Sequence, residues 1–152
     1  MQPFIRVSQL KQSFGAQEVL KGVSFDVDKG ELLALIGGSG AGKSVILKHL
    51  DGLIDPLDGY VDIDGRRISN VPEKVKREIR SKIGFMFQQG ALFDPLSVGE
   101  NVAFPLQEAG LKNEEELDSR ISAALESVGL SGQEEKMPAN LSGGMIKRVA
   151  VA

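Results

Sequence analysis

The chain has 152 residues, 41% hydrophobic and 26% charged, which is the composition of one globular domain. A net charge of -3 gives no indication of a nucleic-acid-binding face, and the absence of cysteine excludes disulfides and thiolate metal sites. With neither a secretory signal nor a run of about 20 apolar residues, the sequence predicts a cytoplasmic protein without a direct membrane span.

The first part of the chain predicts β-strands. The segments FIRVSQL, VSFDVD and GYVDIDGRRI alternate apolar and polar residues, as half-buried strands do. Between the last two, ELLALIGG contains an unbroken apolar run over residues 32–36. Such a run predicts a strand buried on both faces of a parallel sheet.

The segment GGSGAGKS, residues 37–44, matches the phosphate-binding pattern G-x-x-x-x-G-K-[ST] between a predicted strand and a predicted helix. Glycines let successive N–H groups converge on phosphate oxygens, and the start of the helix adds its positive dipole end. Lys43 can reach the β- and γ-phosphates, and the Ser44 hydroxyl can bind Mg²⁺. The sequence therefore predicts a nucleotide site formed by Gly37, Gly38, Ser39, Gly40, Ala41, Gly42, Lys43, Ser44 and Val45.

The remaining chain is predicted to be mostly helical. PEKVKREIRSK, SVGENVAFPLQEAG and NEEELDSRISAALESVGL predict helices, the last two with capping-box spacing at their starts. KIGFMFQ predicts a short apolar strand between the first and second of these helices. His49, the only histidine, lies on the helix after the phosphate loop, and we interpret it as a packing residue.

Three landmarks, in order, resemble ATP-binding cassette (ABC) proteins. KQSFGAQEVLKGVSFDVDKGE resembles the segment before the P-loop, with Phe14 at the position of an adenine-stacking aromatic. FMFQQGALF resembles the Q-loop, with Gln88 at the motif's glutamine, and LSGGM resembles the LSGGQ signature. The resemblance covers the whole chain.

The fold that this resemblance implies is α/β, a P-loop NTPase of the ABC ATPase type. It comprises an antiparallel β subdomain, a partial parallel core sheet and an α-helical subdomain. The implied organisation is residues 1–89 for the β subdomain and P-loop core, 90–140 for the helical subdomain, and 141–152 for the signature and the start of its helix.

The resemblance also implies roles for individual residues. Phe14 stacks on adenine, residues 37–45 hold the phosphates of ATP, and Ser44 with Gln88 binds Mg²⁺. The signature residues Ser142, Gly143 and Gly144 grip the ATP of a second copy of the chain in a head-to-tail dimer.

QQGALFDPLSVGENVAFPL and MPANLSGGMIKRVAVA further resemble the ATPase subunits of Mla/Mce-type phospholipid transporters. This implies a membrane permease partner and a peripheral location on the inner face of the bacterial inner membrane. Met145 stands where most ABC proteins have glutamine, and the Mla/Mce type resembles this chain in that respect.

No apolar run ending in Asp-Glu, the Walker B element of the family, occurs in the sequence, and it contains no catalytic residue of the family. We therefore expect the N-terminal part of a longer ATPase, and we expect that these 152 residues alone do not hydrolyse ATP. The alternatives are a binding-only module, the ATPase of a non-lipid ABC transporter, a soluble ABC protein acting on DNA or ribosomes, and a P-loop kinase, which leaves LSGGM unexplained.

Overall fold

In a computed structural model that describes residues 2–88 and 90–152, the chain divides into two units, Met1–Phe85 and Met86–Ala152. The first combines a sheet with two helices, and the second is helical. None of the helices in the described part of the chain has the length and apolar character needed to cross a bilayer.

The sheet of the first unit is antiparallel. Its strands are β1 (Ile5–Phe14), β2 (Gln17–Val27), β3 (Asp58–Ile63) and β4 (Arg66–Arg67), in the order β2-β1-β3-β4. The three alternating segments thus form strands as predicted, and the α/β class with an antiparallel sheet is confirmed. The helices of this unit are α1 (Lys43–Leu50) and α2 (Glu73–Arg80). Its buried core consists of Val7, Leu10, Leu20, Ile46, Val61, Ile63, Ile68 and Ile79.

The second unit contains α3 (Val98–Glu108), α4 (Glu114–Ser127) and α5 (Gly143–Val149). Each begins at a polar N-cap, because Ser97, Asn113 and Ser142 accept hydrogen bonds from N–H groups of their first turns. The predicted capping box of Ser97 and Glu100 is complete. The core of this unit consists of Val98, Val102, Ala103, Ile121, Leu125, Leu130 and Val149.

Two predicted strands are not formed. Residues 31–38 have no regular structure, and Leu32 and Ile36 are 95% and 94% exposed, so the predicted parallel strand is wrong in this structure. The described residues contain one sheet, and none of its strands pairs with this segment. An apolar run shows a preference for burial, but only neighbouring strands can satisfy its backbone groups. Residues 83–87, predicted as a strand, also have no regular structure.

An irregularity in β1 determines how β3 pairs with it. The register of β1 with β3 shifts between Ser8 and Lys11, and Gln9 has a φ of 47°. Gly59 of β3 lies directly against this bulge with a φ of +81°, and a Cβ placed on it would lie 2.3 Å from the Gln9 carbonyl oxygen. Only glycine therefore permits this close approach.

We predict that Gly59→Ala destabilises the chain by about 3 kcal/mol, because the new methyl group collides with the β1 backbone in addition to straining its own. Gly15→Ala is the matched control. Gly15 also has a positive φ, +59°, but a Cβ there meets no atom within 4 Å. We expect it to cost only about 1 kcal/mol. Urea unfolding measures both free energies, and equal losses would contradict the proposed collision.

Candidate functional site

The predicted phosphate-binding loop forms a turn that leads directly into α1. Gly40 and Gly42 have φ values of +76° and +88°, and Gly42 is the N-cap of α1 without a side-chain hydrogen bond. The Gly42 carbonyl accepts from the Ile46 N–H at 2.9 Å. The N–H groups of residues 43–45 precede this bond, so they lie at the helix end that favours anions.

The loop packs against β2 at Gly42 and is open at Gly38 and Gly40. A Cβ placed on Gly42 would lie 2.8 Å from Leu20 Cδ2 and 3.1 Å from Val19 Cγ1. A Cβ on Gly38 or Gly40 would meet no atom within 4 Å. Glycine at position 42 thus permits contact with the sheet, while the glycines at 38 and 40 leave space above the loop for a ligand.

Lys43 holds its positive charge over the loop. Its half-buried side chain donates from Nζ to the carbonyl oxygens of Gly37 and Gly38, both at 2.7 Å. An ammonium group has three N–H donors, so one remains for a phosphate oxygen. Ser44 is exposed on the first turn of α1, where its hydroxyl oxygen is a suitable ligand for Mg²⁺. The cation, the N–H groups and the hydroxyl form a donor set that fits a magnesium-bound phosphate chain.

Phe14 lies at the hairpin end of β1 and is 51% exposed, so it is not a core residue. The register pairs Gln12 with Leu20, the side chain against which Gly42 packs. Phe14 lies two residues further along β1, about 7 Å along the strand. The sheet therefore places this aromatic ring at the end where the phosphate loop is attached.

His49 is completely buried on α1. Its Nδ1 lies 2.7 Å from the Val45 carbonyl oxygen, and because a carbonyl only accepts, Nδ1 carries the proton. Nε2 is then an acceptor, and it has no partner among residues 2–88 and 90–152. Burial, which disfavours the charged ring, lowers the pKa of His49, although the Val45 carbonyl and Asp55 oppose this shift.

Basic residues of α2 hold the other end of α1. Arg80 donates to the carbonyl oxygens of Asp51 and Gly52 at 2.8 and 3.2 Å, and it forms an ion pair with Glu73. The nearly buried Lys76 forms a 2.7 Å ion pair with Asp55. The sequence analysis missed these residues, because no local pattern indicates which helix end a cation will contact.

Gln88 and the signature lie in the second unit. Gln88 is exposed in a turn, and Gln89 lies outside the described residues. The following Gly90 has a φ of +87°, and a Cβ on it would lie 2.7 Å from Ile146 Cγ2. Gly90 therefore packs directly on α5, the helix that begins with the signature.

The signature residues are accessible at the start of α5. Ser142 Oγ accepts from the Met145 N–H at 3.3 Å, and residues 142–144 are exposed. Met145 is half-buried and packs against the core of the second unit. Its side chain therefore has a packing role in this chain.

The predicted site residues are thus divided between the units. Phe14 and residues 37–45 belong to the first, whereas Gln88 and residues 142–144 belong to the second. In each unit a glycine near the predicted site residues contacts a neighbouring element, Gly42 in the first and Gly90 in the second.

A family model described as ABC transporter matches residues 20–152. The chain is 43% identical over 148 residues to the probable ribonucleotide transport ATP-binding protein mkl of Mycobacterium leprae, covering 97% of this chain and 43% of the relative. It is 44% identical to the chloroplastic protein TRIGALACTOSYLDIACYLGLYCEROL 3 of Arabidopsis thaliana, again covering 97% of this chain and 43% of the relative. The dimeric bacterial ABC transporter cassette MJ0796 is 32% identical with a TM-score of 0.90, covering 97% of this chain and 67% of that one. The chain spans less than half the length of these two curated relatives.

We predict that His49 makes the fold acid-sensitive below about pH 6.5, the ordinary pKa of an unfolded histidine. Because the pKa of His49 is lower in the folded state, only the unfolded chain gains this proton at first, and stability falls as the pH falls. The slope is at most about 1.4 kcal/mol per pH unit for one proton. The pKa of Asp55 is lowered in the folded state, so its protonation also reduces stability, but only below about pH 4. The pKa of Asp51 is raised, so its protonation as the pH falls favours the folded state instead.

The measurement is the difference in unfolding free energy between pH 7 and pH 5, for the parent chain and for His49→Gln. We expect a smaller loss in the variant, because glutamine does not titrate. Equal losses in both proteins would show that other groups cause the acid sensitivity.

Proposed function

This chain belongs to the ABC transporter ATP-binding family, and we propose that it binds MgATP as part of a subunit that hydrolyses ATP to drive a membrane permease. The observation that carries the proposal is the position of Lys43, whose ammonium group is fixed over an open glycine loop at the start of α1. A cation, free helix N–H groups and open space are the requirements of a polyphosphate site.

The binding steps follow from the residues of the first unit. Phe14 offers a half-exposed ring for the adenine base, and its distance along β1 leaves room for the ribose between ring and loop. Lys43 donates to the terminal phosphates, and Ser44 contributes its hydroxyl to the magnesium ion. Mg²⁺ neutralises charge on the β- and γ-phosphates when it is bound.

Residues of the second unit complete the proposed site in a dimer. Gln88 joins the Mg²⁺ shell and senses the γ-phosphate, while the exposed N–H groups of residues 142–144 grip the nucleotide of a second copy. The solved cassette MJ0796, similar over 97% of this chain, is described as dimeric, which supports this arrangement. Because Gly90 packs on Ile146, a displacement of Gly90 would be transmitted to the signature helix.

A groove on the second unit suits the proposed permease contact. Its lining includes three apolar residues, Ala103, Leu117 and Ile121, and four carboxylates, those of Glu100, Asp118, Glu134 and Glu135. An apolar and acidic lining fits an amphipathic segment that carries basic residues. This contact would hold the protein at the inner face of the inner membrane.

We propose phospholipid as the transported substrate. The resemblance of residues 88–106 and 137–152 to Mla/Mce-type ATPases supports it. The name of the Arabidopsis relative contains a galactolipid, which supports a diacylglycerol-based lipid but not the phosphate headgroup. The mycobacterial relative is instead named for ribonucleotide transport. Lipid analysis of the transporter purified with its permease from the native membrane distinguishes the two: enrichment of phospholipid over bulk membrane supports the proposal, and its absence contradicts it.

We predict that Lys43→Ala weakens MgATP binding at least about tenfold, because each charge-assisted hydrogen bond contributes about 1.5–3 kcal/mol. Lys48→Ala is the matched control, since Lys48 is an exposed lysine about one and a half turns further along the same helix. Calorimetric titration of the chain with MgATP measures both affinities. Similar affinities for the two variants would refute the site.

We predict that Ser142→Arg in the intact gene product leaves MgATP binding by the monomer unchanged but prevents the ATP-bound dimer. The added cation occupies the position proposed for the phosphate of the second copy. Nucleotide titration combined with sedimentation measures both properties. A parallel loss of monomer affinity would show that the signature does not act on a partner's nucleotide.

A further inference from the structure

We propose that Gln17 selects adenine over guanine, through hydrogen bonds between its side-chain amide and the edge of the base that stacks on Phe14. The inference deepens the proposed function and rests on it, because it assumes that Phe14 and residues 37–45 bind a nucleoside triphosphate. Neither the phosphate-binding pattern nor the family resemblance assigns a role to Gln17.

The first observation is that Gln17 lies directly beside Phe14. The two residues pair across the turn that joins β1 to β2, and directly opposite residues have Cβ atoms about 5 Å apart on the same face of a sheet. Both side chains are exposed. The ring and the amide are therefore available to the same ligand at this end of the hairpin.

The second observation is a bulge in β2 that brings Gln17 to the face of the phosphate loop. Gln12 pairs with Leu20. Two residues further along β1, Phe14 pairs with Gln17, so β2 has one extra residue between the two pairs. The extra residue places Gln17 and Leu20 on the same face, although residues three apart in a regular strand lie on opposite faces. Leu20 is the side chain against which Gly42 packs, so the amide shares its face with the loop.

The chemistry of the amide matches adenine. A glutamine side chain combines N–H donors with an acceptor oxygen, and adenine presents an amino donor next to a ring-nitrogen acceptor, so two hydrogen bonds form at once. The corresponding edge of guanine carries two acceptors, and the amide oxygen would face one of them without a bond. Stacking on an aromatic ring does not distinguish the two bases, because each has a π-face. The discrimination therefore depends on the polar group beside the ring.

The test compares MgATP with MgGTP, which share the ribose and the phosphates. We expect the parent chain to bind MgATP about fivefold more tightly than MgGTP, as one bidentate pair allows. Gln17→Leu removes the amide, so the affinity for MgATP falls by about the same factor while the affinity for MgGTP stays the same. Calorimetric titration of the chain measures both affinities.

Gln17→Glu changes the preference in the opposite direction. A carboxylate only accepts hydrogen bonds, so it cannot donate to the ring nitrogen of adenine, whereas guanine offers N–H donors on its other edge. The added negative charge weakens the binding of both triphosphates alike, and the ratio of the two affinities therefore reports on the base. We expect this ratio to shift toward MgGTP by about tenfold.

Gln2→Leu is the matched control. Gln2 is an exposed glutamine of the same unit, and its Nε2 lies 3.4 Å from a Cβ built on Gly65, in the turn between β3 and β4. The pairing of Ile5 with Ile63 places this turn at the start of β1, the end opposite to Phe14. We expect both affinities of this variant to equal those of the parent chain.

The possible failures are distinguishable. Equal binding of both nucleotides by the parent, or a ratio that Gln17→Leu leaves unchanged, refutes the role of Gln17; the proposed function stands if binding still depends on Lys43. A Gln17→Leu chain that loses affinity for both nucleotides in parallel shows that the residue only supports the hairpin. A parent chain that binds neither nucleotide refutes the proposed function and this inference together.

Discussion

The close approach of Gly42 to Val19 and Leu20 is the constraint on which the first unit depends. It attaches the phosphate loop and the start of α1 to β2, because a glycine in the left-handed region brings its backbone to where any Cβ would collide. The same contact determines the distance from the loop to Phe14 along the hairpin. The proposed nucleotide site is thereby built from two segments that are separated in sequence.

The C-terminal end of α1 is held by a different kind of interaction. His49 packs in the interior with its Nδ1 on the Val45 carbonyl, and Arg80 of α2 binds the carbonyl groups of Asp51 and Gly52. Helix ends need partners for their last carbonyl groups, and a guanidinium supplies two donors at once. The helix that carries Lys43 is therefore positioned at both ends, by packing at one and by hydrogen bonds at the other.

The second unit uses glycine in the same manner and polar caps in addition. Gly90 lies directly against Ile146, and Ser142 is the N-cap of the helix that contains Ile146. Asn101 holds the segment between this turn and α3, with its side chain bonded to the backbone of Phe93, Leu96 and Ser97. Phe93 packs on Phe104 with ring centroids 4.7 Å apart. These contacts hold residues 93–97 against α3.

Features that depend on local chemistry were predictable from the sequence. The phosphate loop, the caps at Ser97 and Asn113, and the alternating strands of the hairpin follow from residue types at short spacing. The ABC transporter family was also predictable, because the motifs that identify it are short segments of sequence. The roles of Phe14, Gln88 and residues 142–144 stay predictions.

Only the tertiary structure decided the rest. The apolar run 32–36 predicted a buried strand but forms none, since pairing requires neighbours that a single segment cannot specify. Nothing near Arg80 or Ile146 in the sequence indicates the helix end or the glycine that each contacts, because these contacts join segments roughly 30 and 55 residues apart. Spacing along a chain encodes the faces of helices and strands, whereas contacts between elements are set by how those faces pack.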